Sequence, residues 1–169
     1  ILQRQMAVPV WGWSKPGAKV TVEFSGQKKS ATAGKDGKWT LKLDPLKASA
    51  KPAEMVIREE EGKTETITDI LVGEVWLASG QSNMQWLANK SVVGRQLIPG
   101  ILKRVEEGKE KMPIIREGKI PGFVVSLTPQ EKGKAQWNSD WQSHSAIAFA
   151  FAYDLAKELQ VPIGIVNCS

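Results

Sequence analysis

Residues 70–86 read ILVGEVWLASGQSNMQW. An apolar run, interrupted only at Gly73 and Glu74, stops at Ser79-Gly80-Gln81, and Ser82 follows at once. A nearly continuous apolar run is the pattern of a strand covered on both faces, as the parallel strands of α/β domains are. A Ser-Gly-Gln turn then leads into a helix that starts at Ser82. In open α/β sheets ligands lie beyond the carboxyl ends of the strands. A serine placed there projects into the crevice, and its own N–H, at a helix N-terminus, can stabilise a developing oxyanion. The same Ser82-Asn83-Met84-Gln85 also has the form of a capping box, a serine followed three residues later by glutamine. Periodicity leaves nucleophile and cap side by side.

Downstream, Ala146 to Leu159 carries apolar residues at Ile147, Ala150, Phe151, Leu155 and Leu159. Spacings of three and four predict a helix laid against a sheet by that face. Ile163 to Val166 reads as a second buried strand, and strand–helix–strand order implies a parallel layer with right-handed crossovers. Between them, residues 98–138 read as loop-rich, with Pro99, Pro113, Pro121 and Pro129 as breakers. Only two or three parallel strands and two helices can be counted before Ser169. So small a sheet leaves apolar edges and faces bare, and the chain is expected to stop inside a domain.

Upstream the period is two. Val8, Val10 and Trp11-Gly12-Trp13 precede a Lys15-Pro16-Gly17 turn. Val20, Val22 and Phe24 alternate with polar residues up to a turn at Ser25-Gly26-Gln27. Trp39, Leu41 and Leu43 resume the alternation after Gly34-Lys35-Asp36-Gly37. Shorter runs at Met55-Val56-Ile57 and Thr64 to Ile70 follow. The spacing predicts an antiparallel β-sandwich over residues 1–68 and an α/β domain over residues 69–169.

Composition narrows the function classes. The 169 residues are 41% hydrophobic and 24% charged, the profile of a globular protein. No run approaches the ~18 apolar residues of a membrane span. The net charge of +5 is dispersed. From Lys103 to Lys119 the cations alternate with Glu106, Glu107, Glu110 and Glu117, which predicts a solvated surface rather than a phosphate-binding stripe, and no nucleic-acid partner. The single cysteine, Cys168, and the single histidine, His144, exclude an internal disulfide and a zinc site of the usual kind within this chain.

The segment VGEVWLASGQSNMQW (72–86) closely resembles the nucleophile segment of the sialate O-acetylesterase family, carbohydrate acetylesterases of the SGNH-hydrolase superfamily. That family carries GEVW, a small residue or cysteine, then SGQSNM. Residues 2–27 look like its N-terminal β-domain, Pro113 to Arg116 like a segment leading a central strand, and residues 145–169 like the helix and strand before an oxyanion glycine. The resemblance implies the N-terminal portion of such an enzyme: a β-sandwich followed by the first half of a flavodoxin-like three-layer α/β domain. It implies Ser82 as nucleophile and as oxyanion donor through its backbone N–H, with Gln81, Asn83 and Trp86 lining the pocket. No cofactor and no metal are implied. The substrate would be an acetylated carbohydrate, of sialic-acid or plant-polysaccharide type, and the setting extracellular or periplasmic. The family's glycine and asparagine oxyanion donors and its Asp-x-x-His pair match no residue here. They are expected from the C-terminal half of the protein, as a continuation or a cleaved companion chain, without which this chain is expected to be inactive. Ala78 replaces the cysteine of many relatives and is expected to face packing.

Other residues have plainer readings. His144 begins the predicted helix, at what is expected to be the end of the sheet away from Ser82, as a surface or capping residue. Trp11, Trp13 and Trp39 could stack on sugars but are expected to fill the sandwich core. Arg116 is expected in a surface ion pair. Two alternatives stay open: a non-catalytic carbohydrate-binding module, and a serine esterase of another kind.

Overall fold

The computed structural model describes residues 1–60, 62–120 and 135–169. It is a mixed α/β structure with a large sheet and few helices, and the chain divides into two compact units, Ile1–Gly73 and Glu74–Ser169.

In the first unit, β1 (Leu2–Gln3), β2 (Val8–Trp13), β3 (Lys19–Phe24), β4 (Gln27–Thr32), β5 (Lys38–Leu43) and β6 (Ser49–Glu59) precede the long β7 (Thr64–Ser79), which contributes residues 64–73. Strands β4, β3, β6 and β7 lie side by side and antiparallel, with β1 parallel to β7; β2 and β5 form a separate antiparallel pair. The alternation explains the partition. Val20, Val22 and Phe24 of β3 and Trp39, Leu41 and Leu43 of β5 are buried in one core with Val8, Met55 and Val72. The β3–β4 hairpin closes on Ser25 and Gly26, at φ 49° and 78°, the backbone of a two-residue turn whose twist matches its strands. Trp39 is in the core as expected. Trp11 and Trp13 are not: they alternate with Val10 and Gly12 and turn outward, 55% and 40% exposed.

In the second unit, residues 74–79 of β7 pair in parallel with β10 (Ile163–Cys168), and β10 pairs in parallel with β8 (Ile115–Lys119). β9 (Gln136–Asn138) runs antiparallel to β8. The helices are the single turn α1 (Ser82–Gln85), α2 (Ile98–Glu106) and α3 (Ala146–Leu159). Residues 98–120 are less loop-like than expected. A wide helical turn over Val93–Leu97 runs directly into α2. Pro99 stands in the first turn of α2, immediately after that wide turn, and the helix continues past it to Glu106 rather than breaking. Pro121 and Pro129 lie outside the described residues.

Helix α3 has its expected length but buries a different face. Ala148, Phe149, Ala152, Tyr153 and Ala156 are in the core, whereas Ile147 and Phe151 are 52% and 44% exposed. Two apolar faces share this helix, and the alanine-rich one goes in because small side chains let the helix close on the sheet. The end of β7 is not covered on both faces either: Trp76 is 44% and Leu77 69% exposed.

Candidate active site

The polypeptide leaves the carboxyl end of β7 through Gly80 at φ 157°, where a Cβ would come 3.2 Å from Met84 Cβ. Gln81 is extended and offers no side-chain cap to the helix turn that follows. Met84 N and Gln85 N donate to Gln81 O at 2.8 and 3.2 Å, closing the turn over Ser82. Ser82 is therefore the first helical residue and not the cap, and the capping-box reading is corrected: the extra residue of the turn moves the cap back to Gln81. At that first position the Ser82 N–H has no carbonyl one turn earlier to donate to. Among the described residues the Ser82 hydroxyl makes no hydrogen bond, and the side chain is exposed with Gln81 and Asn83 on either side. Trp86 is 56% exposed, its Nε1 donating to Lys90 O at 3.0 Å, which fixes the indole and leaves its faces open.

The start of α3 is knitted to this segment. Leu87 bridges to Ser145, Ala146 N donates to Trp86 O, and Ala88 N donates to His144 O, both at 2.8 Å. Ser145 Oγ approaches Met84 Sδ at 3.3 Å and also caps α3, accepting from Ala148 N. His144 thus lies at the same end of the sheet as Ser82, not the opposite one. A helix joining two parallel strands must run back against them, so it begins at their carboxyl ends. Nor is it a surface residue, being 1% exposed. Its Nε2 faces Asn138 Oδ1 at 2.9 Å and Asn138 O at 3.2 Å, and Nδ1 is buried with no hydrogen-bond partner among the described residues. The carbonyl oxygens accept, so Nε2 carries the hydrogen and Nδ1 is a bare acceptor. Burial pushes this imidazole below the ordinary histidine value, against the opposing charge of Glu117. Neutral, enclosed and bound to Asn138, it is not placed to serve Ser82 as a base.

The residue that sequence reasoning missed is Glu117. Grouped with a solvated charged surface, it is in fact 2% exposed, because the two-residue period of β8 turns it inward with Ile115. Its Oε2 accepts from Ser145 N at 3.0 Å and its Oε1 from Asn167 Nδ2 at 3.1 Å. Asn167 Oδ1 accepts in turn from Ser169 Oγ at 2.7 Å and Ser169 N at 3.2 Å. One buried carboxylate thereby joins β8, the cap of α3 and the end of β10. The signal in the sequence was the apolar pair Ile114-Ile115, which puts the following residues on a covered strand. Asp140 has a local task, capping the turn Trp141–Ser143 through Gln142 N. Ala78 is partly buried and packs against the core of this unit.

The class of fold is thus α/β, with parallel strands that deliver an exposed serine, unbonded among the described residues, to the carboxyl edge where open α/β sheets bind their ligands. Comparison with known proteins gives the particular relatives. No family model matches the chain. Along its whole length it is 30% identical to sialate O-acetylesterase of Homo sapiens, 29% to that of Rattus norvegicus and 37% to that of Pongo abelii. A crystal structure of a carbohydrate acetylesterase from Xanthomonas citri superposes with a TM-score of 0.83 at 32% identity, over 98% of this chain and 37% of that one. Sialate O-acetylesterase homologues thus cover this chain from end to end, in agreement with the resemblance read from residues 72–86. The chain spans about a third of the length of these curated relatives, 33% to 35%.

Proposed function

We propose that this chain carries the nucleophile of a carbohydrate O-acetylesterase, as a β-sandwich over residues 1–68 and the first half of an SGNH-type three-layer domain over residues 69–169. The observation that supports this most is Ser82 itself: exposed, free of any capping bond, with its N–H undirected at the end of a parallel strand. The relatives' names supply the substrate class. Ser82 Oγ attacks the acetyl carbonyl while a base takes its proton, and the new oxyanion is held by the Ser82 N–H. The intermediate collapses, the sugar hydroxyl leaves with the proton returned by the same group, and water then releases acetate and regenerates the serine. Gln81, Asn83 and Trp86 line the entry. The base, its aspartate and the second oxyanion donor belong to polypeptide other than this chain, which accords with relatives about three times as long. No cofactor takes part in this chemistry. The setting is extracellular or periplasmic, where acetylated glycans occur. No helix among the described residues is long and apolar enough to cross a membrane.

The test is labelling with a serine-reactive fluorophosphonate, read by peptide mass spectrometry on the chain together with its completing polypeptide. An adduct on Ser82 that vanishes in Ser82→Ala, together with acetate release from acetylated sugars but not from long-chain esters, supports the reading. An unlabelled Ser82 in the complete assembly overturns it.

A further inference from the structure

We propose that Glu117 is a positioning residue for Ser82: its buried carboxylate holds both flanks of the turn that carries the serine, and so fixes where the hydroxyl stands. The kinetic consequence rests on the esterase reading proposed above. The flank before the serine is the end of β7. There Ala78 and Ser79 pair with Asn167 and Cys168 of β10, and Asn167 Nδ2 donates to Glu117 Oε1 at 3.1 Å. The flank after the serine is the segment 84–88, which is clipped to the start of α3. Ser145 Oγ donates to Met84 Sδ at 3.3 Å, Ala146 N to Trp86 O and Ala88 N to His144 O. That start is itself tied down by Glu117 Oε2, which accepts from Ser145 N at 3.0 Å.

The two flanks also meet across the serine. Met84 stands so close to Gly80 that a Cβ there would come within 3.2 Å of it. A shift of Ser145 is therefore passed through Met84 to the residues on either side of Ser82. Being 2% exposed, Glu117 acts through these neighbours and not on the substrate. Taking a carboxylate out of water is costly, and a neutral acceptor would satisfy the Ser145 amide alone. Two donors arriving from two elements need an acceptor at both oxygens, which a carboxylate provides and a side-chain amide does not.

The experiment compares Glu117→Gln, Glu117→Gln/Asn167→Asp and Glu110→Gln, each in the chain together with its completing polypeptide and below its melting temperature. Glu110 is the control, a carboxylate of the same unit bound by Arg104 and Tyr153, about two turns further along α3 than Ser145. Three quantities are read: hydrolysis of 4-nitrophenyl acetate, the rate of fluorophosphonate labelling at Ser82, and amide exchange of residues 83–88. In Glu117→Gln, kcat and the labelling rate are expected to fall by about ten- to a hundredfold with KM little changed, and exchange of the segment to quicken. In the double variant the new amide donates to the new carboxylate, and all three return toward the parent. Glu110→Gln leaves them unchanged even where it lowers the melting temperature. If Glu117→Gln does not fold, Glu117→Asp, which keeps the charge and gives up reach, carries the same test. A parent that labels, with a folded Glu117 variant labelling equally fast, overturns the positioning role alone. So does a double variant as slow as the single one, or an equal loss in Glu110→Gln. A parent that does not label at all overturns the esterase reading, and the kinetic role of Glu117 with it.

Discussion

Among the described residues, Glu117 is held by two donors, the Ser145 amide and the Asn167 side chain. That makes it sensitive to a change of one atom. Glu117→Gln must turn an NH2 group toward one of the two donors, leaving a buried donor unpaired at a cost of about 1–3 kcal/mol. In Glu117→Gln/Asn167→Asp the new amide donates to the new carboxylate and the Ser145 N–H keeps its acceptor, so most of the loss is expected to return. Chemical denaturation of the four proteins measures this, and additive losses in the double variant would show that the two side chains are not coupled. His144 gives the same region a pH dependence. Burial lowers its pKa beneath the ordinary histidine value of 6.5, so the unfolded chain binds the proton more readily than the folded one. Its contribution to stability is whole above pH 6.5 and falls as the pH drops from there toward the folded-state value. Melting temperatures between pH 8 and 5 are expected to decline, and the decline above the carboxylate range is expected to flatten in His144→Gln. An unchanged slope would assign the titration to other groups.

At the scale of elements, period fixes the type and extent of a segment better than its orientation. Residues 146–159 are a helix as the spacing required, yet Ile147 and Phe151 face out and Ala152 and Ala156 face in. With apolar residues all round, the sequence left two admissible faces, and closeness to the sheet selected between them. Ala152, fully buried, is therefore the sensitive position: Ala152→Leu is expected to cost about 1–3 kcal/mol by overpacking, while Ile147→Gln stays within about 0.5 kcal/mol. Equal effects would contradict the buried face. The same limit governs the candidate site. Ser82 was legible because a strand, a glycine turn and a serine are consecutive in sequence. The Glu117, Ser145 and Asn167 cluster was not, because its members are 28 and 50 residues apart and meet only through the parallel pairing of β8 and β10. His144 was misplaced by an error about helix direction, which the order of parallel strands already determines.

Across the molecule, the second unit bears large apolar side chains that nothing among the described residues covers. Trp76 and Phe151 meet edge to face at 5.2 Å, and each remains 44% exposed. Leu77, next to Trp76 and so on the other face of β7, is 69% exposed. Parallel strands are ordinarily enclosed on both sides. Relatives about three times as long have the polypeptide to do so. The polypeptide that completes the proposed active site is therefore expected to lie over this surface as well, so catalysis and solubility depend on one association. The chain expressed alone is expected to bind a hydrophobic dye and to elute as oligomers, and Leu77→Lys to reduce both. Co-expressed with a polypeptide corresponding to the remaining two thirds of the relatives, the parent chain is expected to co-purify. Leu77→Lys weakens that association by about ten- to a hundredfold, the factor for uncovering one leucine. A parent chain that is monomeric and dark to the dye would mean that this surface tolerates water, and would remove the ground for expecting a companion there.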